Sequence, residues 1–171
     1  APYGAEVQET TRDNTVLSPS LYFIGSLDWL PNLEGIEWFI NKVWPVLHKR
    51  KPSLEFHIAG RNAPDSFMSL CRDNGISFHG EVKDQSEFIS RYSILVTPLF
   101  SGSGMRVKII EAMAAGKAVV TTPVGIEGID AKHGKHLLIA DTAESFIQQV
   151  LALTDNTAQY LHLRNNAVAF I

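Results

Sequence analysis

The stretch ILVTPLFSGSGMRVKIIEAMAAG, residues 94–116, decides the fold. Ile94 to Leu99 is a short apolar run of strand formers. Gly102 and Gly104 follow it as a turn, and Val107, Ile110 and Ala114 then keep a spacing close to 3.6 residues. The order is therefore strand, glycine turn, helix start. The first helical turn carries Arg106 and Lys108, although the free N–H groups there already present about half a positive charge. That placement is unfavourable unless an anion sits on the loop. Glycines let a backbone approach an anion closely, and the N–H groups of the helix start together with Arg106 and Lys108 would all donate to it. Phosphate fits best. Glu111 lies three residues after Lys108 and seven after Gly104, near the same helix face. With a nucleoside diphosphate over the helix start, Glu111 would accept hydrogen bonds from the ribose hydroxyls. The simpler reading is a Lys108–Glu111 surface pair worth about 0.2–0.5 kcal/mol, and the residues by themselves leave both open.

With 171 residues, 45% of them hydrophobic and 19% charged, the chain can bury a full core as one domain. A formal net charge of −3 offers no basic field for a nucleic-acid backbone. The single cysteine, Cys71, excludes an internal disulfide and suits a reducing, cytoplasmic compartment. It sits with Phe67 and Leu70 in a helical pattern, so it reads as core. No run approaches the roughly 18 apolar residues of a membrane span.

Residues 1–20, with Pro2, Gly4 and Pro19, read as a lead-in segment, and 21–171 as the domain. Strands are expected at 21–25, 54–60, 76–80, 94–99, 118–121 and 136–140. Helices are expected at 33–49 (N-capped by Asn32), from Pro64 to 74, at 84–92 behind an Asp84/Glu87 capping box, after Gly104, at 141–153 behind an Asp141/Glu144 capping box, and at 158–170. Trp38 and Trp44 read as packing. His133 and His136 read as solvated surface, and no Asp-x-Asp pair lies near the glycine loop, so no catalytic metal and no cofactor are expected. Alternating strands and helices give an α/β, doubly wound, Rossmann-like parallel sheet of about six strands. Ligands bind beyond the carboxyl ends of such strands. Gly25, Gly60, Gly80, Gly102 and Gly104 all follow strand ends, so their loops should converge on one rim.

With these elements placed, the chain resembles the C-terminal, donor-binding half of a GT-B glycosyltransferase of the large retaining group called family four. LYFIGSLDWLPNLEGIEWF, HIAGRN, HGEVKD and PLFSGSGMRVKIIEAMAAGKAVVTTPVGIEGI carry the resemblance. It implies a nucleotide-diphosphate sugar as substrate and an acceptor bound by a missing N-terminal domain, with PYGAEV near the domain boundary and the full-length protein peripheral to the inner membrane face. It also implies that Glu111 holds the ribose, that backbone groups near Val82 hold the base, and that Ser103 stands where the family has a first glutamate, so that sugar contacts rely on a hydroxyl and the backbone N–H groups of Gly104 and Met105. The family's arginine and lysine after the first strand are replaced here, with Ser26 and Asn32 at about those places beside Gly25. Arg106 and Lys108 are the candidates for the lost charge, with Arg61 a further one. Lys108 would be the main electrostatic catalyst and Arg106 its helper. Two other functions share parts of this pattern: a nucleotide-sugar epimerase of the same fold, and a non-enzymatic flavodoxin-like module. The latter normally carries acidic strand ends, whereas these ends carry glycine followed by Ser26, Arg61 and Glu81.

Overall fold

The computed structural model describes residues 18–102 and 104–171. The expected lead-in segment up to residue 17, and Ser103, lie outside the described residues. The chain runs β1 (Ser20–Ile24), α1 (Leu30–Lys42), α2 (Trp44–Arg50), β2 (Glu55–Ala59), α3 (Asp65–Asp73), β3 (Ser77–Phe78), α4 (Gln85–Ser90), β4 (Ile94–Thr97), α5 (Arg106–Ala114), β5 (Ala118–Thr121), β6 (Leu138–Ile139), α6 (Ala143–Asp155) and α7 (Thr157–Phe170). The six strands form one sheet in the order β3-β2-β1-β4-β5-β6, every pair parallel. β1, β4 and β5 are buried at every position, because helices cover both faces of a parallel sheet and leave no solvent side to alternate with. The edges are short: β3 and β6 have two residues each, which limits the unpaired backbone open to another chain.

One layer of the core joins α1, α2 and α6 to the sheet through Phe39, Trp44, Phe56 and Phe146. Phe39 meets Phe56 and Phe146 edge-on at 5.4 and 5.7 Å. The opposite layer sets Tyr22 of β1 against Phe88 and Tyr92 at 6.3 and 6.2 Å. Cys71 is fully buried, and burial pushes its thiol up to about 12. From β1 the chain winds outward to β2 and β3, then crosses back to β4. The loops after β1 and β4 therefore leave toward opposite faces and open a crevice between them.

Several boundaries differ from expectation. The single helix expected over 33–49 is two helices meeting at Val43, because Pro45 lacks an N–H and its ring clashes with the carbonyl four residues back. The first of them starts at Leu30, capped by the backbone of Trp29 and not by Asn32. Pro64 stands just outside its helix. The box on α6 is Thr142 with Ser145, each side chain bonded to the other's backbone, in place of Asp141 with Glu144. On α5 the buried face is Ile109, Ala112 and Met113, while Val107 is 61% exposed. The larger Met105, Ile109 and Met113 side chains fill the core; of the expected stripe Ala114 is buried, Ile110 is half-buried and only Val107 is left outside.

Candidate functional site

A cavity of about 520 Å³ opens over the carboxyl ends of β1, β2, β3 and β4. That is a size typical of small-molecule sites. Gly25, Ser26, Trp29 and Asn32 enter it from the β1–α1 segment, Gly60 and Arg61 from the end of β2, Glu81, Val82 and Gln85 from the loop before α4 and its first turn, and Gly104, Met105 and Lys108 from the α5 start.

Backbone bonds lock these loops together. Gly25 N–H donates to Ala59 O at 3.2 Å, Leu27 N–H to Arg61 O at 3.0 Å and Gly60 N–H to Gly80 O at 2.8 Å. A Cβ on Gly60 would lie 2.0 Å from Gly25 O, so only glycine allows the two loops this approach. Side chains add a second tie. Arg61 Nε donates to Ser26 Oγ at 3.1 Å, and Asn62, in the left-handed region at φ 61°, donates to Asp28 Oδ2 at 3.0 Å. The Asn62 amide and then Ser26 hold the Asp28 carboxyl below its usual range. Asn32, buried and inside α1, donates through Nδ2 to Ser26 O at 3.0 Å.

The start of α5 is the cationic part of the site. Among the described residues no side chain caps this helix, and no acidic residue stands in its first turn. Its first N–H groups are therefore left for water or a ligand. Gly104, at φ +120°, sets the approach of the chain to that helix mouth, in a region closed to most side chains. Met105 buries its side chain in the core and so anchors the turn. Lys108 Nζ donates to Gln85 Oε1 across the cavity. That partner is neutral, and among the described residues no carboxylate lies within ion-pair distance of Lys108.

Lys108 and Arg106 do not act side by side. Residues two apart on a helix point about 200° from each other. Arg106 lies against the β5–β6 loop, where its Nε donates to Glu127 O at 3.2 Å and its guanidinium covers Gly128; it is not among the cavity-lining residues. Glu111, half-buried one turn below Lys108, also lies outside the lining. Its charge adds, after burial and Tyr160, to the upward shift of the Tyr22 hydroxyl. Gly102 packs on Pro31 at the cavity edge. The surface pair between Lys108 and Glu111 does not form.

Sequence reasoning missed Trp29 and Gln85 as site residues. The first was hidden by the expectation of a cap at Asn32. The second belongs to the turn just after Asp84, whose side chain does cap α4 by accepting from Glu87 N–H at 3.1 Å. Of the two histidines expected at the solvated surface, His133 is exposed as expected and His136 is buried; both tie the β5–β6 loop, His136 Nδ1 accepting from Lys132 N–H at 2.9 Å and His133 Nδ1 from Ile139 N–H at 2.8 Å. Among the described residues no group of three His, Cys, Asp or Glu side chains is arranged to hold a metal ion, and no helix is long and apolar enough to cross a membrane.

Comparison with known proteins gives the family and relatives of this fold. The family described as glycosyl transferases group 1 matches residues 18–156. An uncharacterized 44.6 kDa protein of the cps region of Klebsiella pneumoniae is 30% identical over 162 residues, covering 89% of this chain and 41% of that protein. The chain thus spans about two-fifths of that relative's length. Among solved structures, the C-terminal domain of a glycosyl transferase group 1 family protein, LpcC, from Francisella tularensis superposes with a TM-score of 0.76 at 18% identity, over 95% of this chain and 89% of that one. A variant of S. aureus TarM in a complex that includes UDP and alpha-GlcNAc-glycerol superposes with a TM-score of 0.77 at 17% identity, over 92% of this chain and 33% of that one.

Proposed function

Because the chain belongs to the glycosyl transferases group 1 family, we propose that its cavity binds the diphosphate of a nucleotide sugar and that the full-length protein transfers the sugar to an acceptor with retention of configuration. One observation carries this reading. Lys108, whose partner among the described residues is the neutral Gln85, faces a cavity onto which a helix N-terminus without a cap from those residues opens. Both features favour an anion.

As the bond between the anomeric carbon and the diphosphate oxygen breaks, negative charge grows on that oxygen. In this reading Lys108 and the free N–H groups at the α5 start would meet that oxygen, and so stabilise the transition state more than the ground state. Arg106 contributes only a longer-range field from the neighbouring loop. Val82 borders the β3 end of the cavity and is the site for the base. Glu111 would take the ribose by closing toward the cavity from the turn below Lys108. Ser103, next to Gly104, would contact the sugar. The acceptor and the groups that deprotonate it belong to parts of the protein beyond this chain. The TarM variant whose complex includes UDP supports the donor class. A cytoplasmic setting, where nucleotide sugars are made and Cys71 stays a thiol, fits this role.

The test is calorimetry of the chain with UDP, GDP and ADP and their sugars. Binding of one series is expected, with Lys108→Ala and Glu111→Ala each weakening it. Failure of every nucleotide to bind, or both variants binding like the parent, would overturn the assignment.

A further inference from the structure

Trp29 is an anomaly at the mouth of the cavity. It occupies the N-cap of α1 without any side-chain cap bond, at a position where Ser, Thr, Asp or Asn is strongly preferred because its oxygen satisfies a free N–H. Its indole is 49% exposed, whereas Trp44 is buried and Trp38 is half-buried against Phe100 and Phe146 at 4.6 and 5.8 Å. The helix thus forgoes a cap and leaves a large aromatic face in water, beside the polar lining of Ser26, Asn32 and Lys108. An indole that lines a cavity and stays half in water offers a flat apolar face beside polar groups, the combination that small-molecule sites use.

Its neighbours say which part of the ligand. A Cβ on Gly102 would meet Pro31 at 2.8 Å and Trp29 Cζ2 at 3.8 Å, so the Trp29–Pro31 segment packs directly on the glycine turn after β4. Val82, by contrast, follows β3, three strand positions away in the sheet order, about 14 Å at normal strand spacing. A nucleotide sugar laid across this rim with its diphosphate at Lys108 and its base near Val82 puts the sugar at the Trp29 end. Pyranose rings present flat patches of weakly polarised C–H groups, which pack well on the electron-rich face of an indole.

Resting on the donor-site reading above, we propose that Trp29 is the residue that stacks on the transferred sugar and thereby distinguishes a nucleotide sugar from its free nucleotide. Calorimetry with UDP and UDP-N-acetylglucosamine, and with the corresponding GDP and ADP pairs, tests it on the parent, Trp29→Ala and Trp29→Phe. Trp29→Ala is expected to weaken the nucleotide sugar at least fivefold while the free nucleotide stays within twofold, and Trp29→Phe to recover most of the loss. In the parent, the sugar nucleotide should change tryptophan emission more than the nucleotide does. An equal loss for nucleotide and nucleotide sugar, or no loss for either, overturns the role of Trp29 and leaves the donor site standing. A parent that binds no nucleotide overturns the donor site, and this role with it.

Discussion

Lys108→Gln is the substitution for which the structure gives the clearest number. The lysine is half-buried, reaches across the cavity to Gln85, and has no carboxylate partner among the described residues. Removing its charge therefore breaks no ion pair, and the fold should lose about 0.5 kcal/mol at most, a melting shift within about 2 °C for a domain of this size. Toward a diphosphate the ammonium makes a charge-assisted hydrogen bond worth about 1.5–3 kcal/mol, and its partial exposure places it at the lower end. At about 1.4 kcal/mol per tenfold, nucleoside diphosphate affinity should fall roughly 10- to 30-fold. The loss should shrink as salt rises, since screening weakens what the lysine contributed. Calorimetry at about 0.02 and 0.15 M salt, where the Debye length falls from above 10 Å to about 8 Å, reads both effects, with a melting curve as the control. A Kd within twofold of the parent at both salt concentrations would refute the reasoning.

Three predictions concern the scaffold. Gly35→Ala puts a Cβ 1.8 Å from Pro98 O, so α1 must move off the end of β4; a loss of about 3 kcal/mol is expected in chemical denaturation, and a loss below about 1 kcal/mol would count against the packing described. Lys117 is buried, and burial, followed by the Arg164 charge, lowers its pKa from 10.5 to about 8. The folded chain therefore binds fewer protons than the unfolded one between those values, its cost is fully present below about pH 8, and it fades as pH rises toward the unfolded value. At 1.36 kcal/mol per unit, Lys117→Met should stabilise by about 3 kcal/mol at pH 7, with a smaller gain near pH 10; urea midpoints at the two pH values check it, and equal gains at both would contradict it. His79 Nε2 and His57 Nδ1 are hydrogen-bonded at 2.9 Å, and burial, then the charges of His57 and Arg91, lower the His79 pKa below 6.5. Stability from the neutral ring, present above that value, is lost as pH falls, so the parent should lose more stability between pH 7 and 5 than His79→Gln does, and parallel losses would remove His79 as the cause.

The sheet was legible because its strands are short and rich in apolar residues, β1, β2 and β3 being followed at once or nearly so by Gly25, Gly60 and Gly80, a pattern that survives without any knowledge of partners. Strand order was not written in any one strand; it follows from crossovers that bury every face. The misreadings share one cause, competition between neighbouring signals. Pro45 outweighed an apolar period that continues through Val43 and Leu47. Trp29 took a cap that Asn32 was better suited to fill, because Asn32 is used to hold Ser26. Around the site, the glycines and Lys108 were readable from charge placed at a helix start. The separation of Arg106 from Lys108 follows from helix geometry alone, yet it needed the Glu127 carbonyl to show where the guanidinium goes. Gln85 carried no signal, since a glutamine after a cap looks like any exposed helix residue until Lys108 is seen reaching it.

The central claim is that a diphosphate lies at the α5 mouth, between the ends of β1 and β4. A crystal structure of the chain with the tightest-binding nucleoside diphosphate tests it most directly. The account predicts phosphate oxygens within hydrogen-bond distance of the Gly104–Met105 amides and of Lys108 Nζ, with the ammonium withdrawn from Gln85. A nucleotide bound elsewhere, or one whose phosphates leave Lys108 on Gln85, would contradict it.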